Sequence, residues 1–178
     1  VLERVTRPLF RGGSPQGRVY SFRDLTERIA AQERIEAFAH TDALTGLANR
    51  RRFNIALDEE WRRASRNQTD LAVVMADIDN FKLYNDSLGH QEGDHCLAAV
   101  AGVFLRAAGR AGDLAARYGG EEIVFLMPGA DHAAAVTMAE RLRAACEALA
   151  IPHPTSPVSP VVTISLGVAS CIPSAESS

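Results

Sequence analysis

Residues 71–79 read Leu-Ala-Val-Val-Met-Ala-Asp-Ile-Asp, and this stretch decides the fold. Its uninterrupted apolar run predicts a β-strand over Leu71–Ile78 that is buried on both faces of a sheet. The run stops at two carboxylates, Asp77 and Asp79, which alternation places on one side of the sheet edge if the chain stays extended. Because paired carboxylates are costly unless they are neutralised, the pair indicates either a cation site or a turn or cap.

Apolar spacing on both sides of this strand predicts further helices and strands in alternation. We expect helices over about 50–66, 93–108 and 131–149, and strands over 114–118, 121–127 and 161–169. Between two of these strands, Gly119 and Gly120 predict a tight hairpin, since both residues can take φ > 0. The fold class is α/β or α+β, with a central sheet covered by helices.

The N-terminal residues follow a different pattern. Residues 1–24 alternate weakly around a Gly-Gly-Ser-Pro turn, which predicts two short strands. Two strands cannot hold a core, so we interpret 1–24 as the end of a preceding domain. Residues 25–40 predict a helix, which is either a solvated linker or a short parallel coiled coil between protomers. The remaining residues, 41–178, form the main domain.

Composition excludes several classes of protein. The 178 residues are 47% hydrophobic and 23% charged, as in an ordinary soluble globular protein, and the net charge of −3 argues against nucleic-acid binding. No apolar run is long enough for a membrane span, and Val1-Leu2-Glu3-Arg4 lacks the apolar part of a signal peptide. The three cysteines form no CxxC pair, so we expect no disulfide framework and a cytoplasmic location. Any membrane anchor of the parent protein would lie in other segments.

A second acidic group, Glu121 and Glu122, follows the two glycines of the predicted hairpin. Glycines let phosphate oxygens approach main-chain N–H groups, and an adjacent carboxylate can hold the metal ion that neutralises them. The alternative is a plain hairpin with two exposed glutamates. Lys82, the only lysine of the chain, follows Asp79 closely and could stabilise a phosphate as a point charge.

Four motifs occur in order along the chain. They are Thr-Asp-Ala-Leu-Thr-Gly-Leu-Ala-Asn-Arg-Arg at 41–51, Asp-Ile-Asp-Asn-Phe-Lys-x-x-Asn-Asp-x-x-Gly-His-x-x-Gly-Asp at 77–94, Arg-Tyr-Gly-Gly-Glu-Glu at 117–122 and Val-Thr-Ile-Ser-Leu-Gly-Val-Ala at 162–169. Together they resemble the GGDEF-domain diguanylate cyclases. Residues 23–28 resemble the junction between a PAS-type sensor domain and a signalling helix, which would make 1–24 the remnant of such a sensor. The resemblance implies a mostly antiparallel sheet flanked by helices, of the nucleotide-cyclase and polymerase-palm type.

The resemblance also implies a reaction, in which two GTP molecules are joined into cyclic di-GMP with loss of two pyrophosphates. Each protomer of a homodimer would hold one GTP, with Mg²⁺ or Mn²⁺ as cofactor, under the control of an upstream sensor. An alternative is a catalytically silent GGDEF domain that binds cyclic di-GMP or GTP and passes on a signal. A third interpretation, a purely structural dimerisation module, explains none of the polar motif residues. This segment would contact neither nucleic acid nor membrane.

The roles of individual residues follow from the same resemblance. The metal ligands would be Asp77, the main-chain carbonyl of Ile78, and Glu121. Glu121 would also accept a proton, Glu122 would assist, and Lys82 would stabilise negative charge at phosphorus. The substrate-binding residues would be Phe81, Asn85, His90, Asp94, Gly119 and Gly120, of which Asn85 and Asp94 read guanine. Arg110 and Asp113 match the Arg-x-x-Asp site at which the product inhibits members of the family.

The chain departs from the family pattern at three points. Ile123 stands where the family usually has Phe, and Ala48 stands where it has Pro. Nothing matches the family's C-terminal helix with Leu-Tyr-x-Ala-Lys and Gly-Arg-Asn, whose basic residues contact the triphosphate. We therefore expect residues 1–178 to bind GTP weakly and to make little cyclic di-GMP, whereas the parent protein should be competent.

Overall fold

The computed structural model describes residues 2–11, 14–26 and 40–174, and the chain divides into two compact units, 1–39 and 40–178. In the first unit, strands β1 (Leu2–Arg11) and β2 (Ser14–Asp24) pair antiparallel. The two predicted N-terminal strands are therefore confirmed. The helix expected over 25–40 lies almost wholly outside the described residues.

The second unit contains a five-stranded sheet with the strand order β3-β5-β6-β4-β7. Its strands are β3 (Ala48–Asn49), β4 (Leu71–Ile78), β5 (Leu114–Gly119), β6 (Glu122–Pro128) and β7 (Ile164–Cys171). The short strand β3 is parallel to β5, and the remaining pairs of this sheet are antiparallel. The mixed α+β class and the mostly antiparallel sheet are therefore confirmed.

Helices flank this sheet in the described part of the second unit. They are α1 (Arg50–Asn67), α2 (Phe81–Leu88), α3 (His90–Ala107) and α4 (His132–Glu147). Side-chain caps start two of them: Asn49 Oδ1 accepts the Arg52 N–H at 3.0 Å, and Asp131 Oδ1 accepts the Ala134 N–H at 2.8 Å. No helix within the described ranges combines the length and the apolar character that crossing a membrane requires.

The sheet buries apolar side chains on both of its faces. On one face, Val124 and Leu126 of β6 belong to a cluster with Phe53 of α1. On the other face, Ile123 and Phe125 belong to the larger cluster that includes residues of α3 and α4. Because successive side chains of a strand point to opposite faces, a strand between two helical layers must be apolar throughout. In β4 and β6 the charged residues, Asp77 and Glu122, therefore lie at the strand ends.

Some boundaries differ from the sequence predictions. Helix α3 begins at His90 rather than about 93, and α2 was not predicted. Strand β7 begins at Ile164 rather than at 161, where the chain instead forms an isolated bridge with Pro152.

In the hairpin between β5 and β6, Gly119 still pairs with Glu122, so the turn consists of Gly120 and Glu121. The predicted hairpin is therefore confirmed, and of its two glycines only Gly120 has a positive φ, 53°.

Candidate active site

Helices α2 and α3 meet at a single residue, Gly89, whose φ of 88° is easily reached by glycine. The Gly89 N–H donates to the Asn85 carbonyl at 2.8 Å, and the Gly89 carbonyl accepts the Gly93 N–H at 3.1 Å. The two helices therefore form a tight corner in the chain directly after the polar end of β4. Side chains from both helices can line one cavity as a result.

A cavity of about 380 Å³ is lined by residues of this corner and of the β5–β6 hairpin. Seven residues of the predicted site line it, namely Phe81, Lys82, Asn85, His90, Asp94, Gly120 and Glu121. The lining thus contains an ammonium group, two carboxylates from this set and a carboxamide. Such groups suit a ligand that has both phosphates and a base with N–H donors.

Asp77 lies at the exposed end of β4, near the same hairpin. Its pKa is raised, first by partial desolvation and then by the like charges of Glu121, Glu122 and Asp79. Asp77 and Glu121 therefore lie within electrostatic range of each other despite their separation in sequence. Within the described ranges, no group of three or more His, Cys, Asp or Glu side chains is arranged to hold a metal ion. A cation at this edge would accordingly need main-chain or ligand oxygens as well.

Asp79 has a different environment from Asp77. Its carboxylate accepts the hydroxyls of Thr163 and Ser165, both at 2.6 Å, and its N–H donates to the Thr163 carbonyl at 3.0 Å. Both carboxylate oxygens are thus engaged in joining the end of β4 to β7. The contacts of Asp79 therefore fit a turn or cap rather than a cation site. The strand ends at Ile78, so the alternation that would place Asp79 beside Asp77 stops there.

Arg117, at the end of β5, fixes the turn of the hairpin. Its Nε donates to the Gly120 carbonyl at 2.9 Å, and its Nη1 lies 3.3 Å from each carboxylate oxygen of Asp42. Asp42 also accepts the N–H and the hydroxyl of Thr45, at 2.9 and 2.7 Å. Desolvation opposes ionisation of Asp42, but these hydrogen bonds and the Arg117 charge together lower its pKa below the usual value.

Arg110 and Asp113 lie in the loop between α3 and β5. The Asp113 carboxylate accepts the Arg110 N–H at 3.1 Å, and the Asp113 N–H donates to the Arg110 carbonyl at 3.1 Å. Gly112 between them has a φ of 95°. The Arg-x-x-Asp segment is therefore a closed turn with an exposed arginine.

The structure and the sequence predictions overlap only in part at this site. Three lining residues were not predicted as site residues, namely Asp86, Leu97 and Arg117. The sequence could have indicated Arg117 as a site residue, since it is the first residue of the Arg-Tyr-Gly-Gly motif. Leu97 could not be identified in this way, because its position has the pattern of an ordinary core residue. Ile78, Asp77, Gly119 and Glu122 border the site without being among the residues that line the cavity.

The α+β domain thus has a mixed-charge cavity close to an acidic strand end. Comparison with known proteins identifies the family of this domain. The model of the family "Diguanylate cyclase, GGDEF domain" matches residues 39–178. The solved structure of the coiled coil and GGDEF domain of DgcB from Caulobacter crescentus in complex with c-di-GMP is 33% identical, with a TM-score of 0.74, covering 83% of this chain and 78% of that one.

Two curated relatives show the same similarity in sequence. Diguanylate cyclase DgcM of Escherichia coli K12 is 37% identical over 146 residues, which are 82% of this chain and 34% of that protein. Diguanylate cyclase DgcP of Pseudomonas aeruginosa is 42% identical over 130 residues, which are 73% of this chain and 19% of that protein. The chain thus spans about a third or less of the length of these two relatives. It belongs to the GGDEF-domain diguanylate cyclase family.

Proposed function

We propose that this domain is the catalytic domain of a diguanylate cyclase, which condenses two GTP molecules into cyclic di-GMP and two pyrophosphates across a homodimer. The observation that carries the proposal is the cavity, which gathers seven of the residues that the family resemblance assigns to substrate and catalysis. Asp94 would accept the N1–H and N2–H donors of guanine, a pair that adenine lacks. Asn85 would contact the same base.

The metal would be Mg²⁺ or Mn²⁺, held by Asp77, the Ile78 carbonyl and Glu121. The environment of Asp77 supports this fit, since partial desolvation and then the neighbouring carboxylates raise its pKa. A divalent cation would stabilise such a cluster, and when bound it neutralises phosphate charge and activates the attacking oxygen.

Protein groups would do the remaining work. Glu121 would accept a proton, with assistance from Glu122, and Lys82 would counter the negative charge that builds up on phosphorus. Phe81, His90 and the main chain at Gly119 and Gly120 would complete the substrate contacts. The two strands of residues 1–24 would be the end of a PAS-type sensor that controls the domain.

The test is to incubate the domain with GTP and Mg²⁺ and to separate the products by chromatography. Because the reaction needs two protomers, the domain is tested both as residues 1–178 and with a parallel coiled coil fused ahead of His40. We expect more cyclic di-GMP from the fusion than from residues 1–178, and far less from its Lys82→Ala variant. A fusion that binds cyclic di-GMP but makes none would instead support the silent binding domain.

We also propose that Arg110 and Asp113 form a site for inhibition by the product. The closed turn keeps the two residues together, and an arginine can bind a phosphate or a guanine edge through two hydrogen bonds. In an active fusion, Arg110→Ala should leave the initial rate near that of the wild type and relieve inhibition as cyclic di-GMP accumulates. A wild type without product inhibition would contradict this assignment.

A further inference from the structure

Gly93 is a buried glycine in the first turn of α3, at a position where the backbone does not require glycine. Glycine is a poor helix residue, and the glycines that need a left-handed conformation, such as Gly89 and Gly120, lie elsewhere. The absence of a side chain at Gly93 therefore calls for an explanation from packing.

The neighbour of Gly93 is the side chain of Asn85, which comes from the last turn of α2. A Cβ atom added at Gly93 would lie 1.8 Å from Asn85 Oδ1 and 2.9 Å from Asn85 Cγ. Both distances are far below van der Waals contact. The carboxamide of Asn85 thus occupies the space that any other residue at position 93 would fill.

The orientation of the Asn85 carboxamide determines which of its two polar atoms a ligand in the cavity can contact. Among the described residues, Asn85 Oδ1 is buried and has no hydrogen-bond partner. The Nδ2 atom lies farther from Gly93, at 3.4 Å from the same added Cβ, while Asn85 lines the cavity. Of the two amide atoms, Oδ1 is the one enclosed without a partner, which leaves Nδ2, a hydrogen-bond donor, for a ligand.

We propose that Gly93 is a positioning residue for base recognition. Its missing side chain gives the Asn85 carboxamide its place between α2 and α3, with the Nδ2 donor directed to the cavity. Guanine presents the O6 acceptor beside its N1–H and N2–H donors, so a donor from Asn85 and an acceptor from Asp94 complement one edge of the base. The inference rests on the proposed binding of GTP.

The geometry predicts how a substitution acts. Rotating only the terminal amide of Asn85 in Gly93→Ala would leave Cγ at 2.9 Å from the new methyl group, so the whole carboxamide must turn away. This movement involves a short side chain rather than the backbone, and alanine favours the helix. We therefore expect Gly93→Ala to fold and to lose base recognition.

Gly102, on the same helix, offers a matched control. A Cβ atom there would meet Arg106 Nη1 at 3.3 Å, which is the far end of a flexible side chain. Gly102→Ala makes the same chemical change in the same helix without displacing Asn85. It should bind GTP as the wild type does.

The experiment compares the wild type, Gly93→Ala, Gly102→Ala, Asn85→Ala and the double variant Gly93→Ala/Asn85→Ala in the 178-residue chain. Calorimetric titration with GTP and Mg²⁺ measures affinity, with ATP as the non-guanine comparison. We expect Gly93→Ala and Asn85→Ala each to weaken GTP binding by about tenfold, and the double variant to lose no more than either. Wild-type GTP affinity in Gly93→Ala would overturn the proposal.

A second measurement separates this inference from the proposed function. The side-chain amide signals of Asn85 in ¹H–¹⁵N spectra should shift in Gly93→Ala and stay in place in Gly102→Ala, with or without nucleotide. Unchanged Asn85 signals in Gly93→Ala would overturn the positioning role. Because residues 1–178 are expected to bind GTP weakly, the titration extends to millimolar GTP. If the wild type binds GTP no better than ATP, the proposed function is overturned, while the Asn85 signals still decide where the carboxamide lies. If Gly93→Ala fails to fold, recovery of folding in the double variant would support the clash, and no recovery would contradict it.

Discussion

Asp77 combines an exposed position at the end of β4 with a pKa that desolvation and neighbouring carboxylates raise. A residue in such a cluster destabilises the domain in its charged form unless a cation lies close to it. The substitution that tests its role is therefore one that removes the charge and keeps the shape.

We predict that Asp77→Asn and Glu121→Gln abolish the response to Mg²⁺ while the fold survives. The wild type with GTP should gain thermal stability when Mg²⁺ is added, because a ligand that binds the folded state stabilises it. Each variant should lack this gain and lose turnover by roughly a hundredfold or more in the coiled-coil fusion. Asp58→Asn, which changes an exposed carboxylate of α1 that does not line the cavity, is the control and should keep the Mg²⁺ response. A Mg²⁺ response in Asp77→Asn equal to that of the wild type would remove Asp77 from the metal site.

The cysteines differ in environment, and this difference predicts their reactivity. Burial raises the pKa of Cys96 to about 11 and that of Cys146 to about 12, while Cys171 is exposed. A thiol reagent at neutral pH should therefore modify one cysteine per folded chain, and none in Cys171→Ser. Unfolding in denaturant should expose all three thiols of the wild type. Rapid reaction of two thiols in the folded protein would show that the core opens readily.

At the scale of elements, helix α2 is held from outside by the loop between α4 and β7. His153 is 1% exposed, its Nε2 lies 3.3 Å from the Asn80 carbonyl, and its ring packs edge-on against Tyr84 at 5.2 Å. Because a carbonyl only accepts, the bonded Nε2 must carry the proton. Thr155 adds a hydrogen bond from its hydroxyl to the Leu83 carbonyl at 3.3 Å. The helix that carries Lys82 and Asn85 thus packs against a loop that is distant in the sequence.

We predict that His153→Ala loosens this helix. The change removes a hydrogen bond and leaves a cavity, so the free energy of unfolding should fall by about 2–3 kcal/mol. Hydrogen exchange at the amides of α2 should accelerate more than exchange in α1. His95→Ala, an exposed position on α3, is the matched control and should change neither quantity. Equal acceleration throughout the domain would mean that His153 stabilises the fold without a particular link to α2.

The sequence predicts some elements better than others for physical reasons. The strand over Leu71–Ile78 and helices α1 and α4 were predicted closely, because a long apolar pattern reports burial directly. Helix α2 was missed because it has only 8 residues and because its N-cap residue, Asn80, has a φ of 56° and makes no side-chain cap hydrogen bond. A helix that starts without a side-chain cap cannot be located from the capping pattern of its sequence.

At the scale of the whole molecule, the site depends on contacts between residues that are far apart in the chain. The convergence of Asp77 and Glu121 was predicted from the family resemblance, supported by the position of Asp77 at a strand end, since no spacing rule connects the end of β4 with a turn between β5 and β6. The link from Arg117 to Asp42 spans 75 positions and was not foreseen. The motifs identified which residues belong to the site. The sheet order, in which β6 pairs with β4, explains why Asp77 and Glu121 come close together.

The contact between Arg117 and the Asp42 carboxylate leads to a last prediction. It concerns how the stability of the second unit, residues 40–178, depends on pH. Desolvation raises the pKa of Asp42, but the hydrogen bonds from Thr45 and the Arg117 charge together outweigh it and hold this pKa below its ordinary value. A lowered pKa in the folded state contributes stability that is complete above the ordinary value and is lost as the pH falls through the folded value. Asp42→Asn lacks this contribution, so it should be less stable near neutral pH by about 1–3 kcal/mol. The difference from the wild type should shrink below about pH 4, as Asp42 of the wild type becomes protonated.

Urea denaturation at a series of pH values measures this difference. Asp58→Asn is the control, because Asp58 pairs with Arg62 on the exposed surface of α1 and such pairs contribute little. If the stability curves of Asp42→Asn and the wild type ran parallel into acid, the ionised form of Asp42 would not be what stabilises the fold. The turn at Gly120 would then keep its place through the bond from Arg117 Nε alone, without help from Asp42.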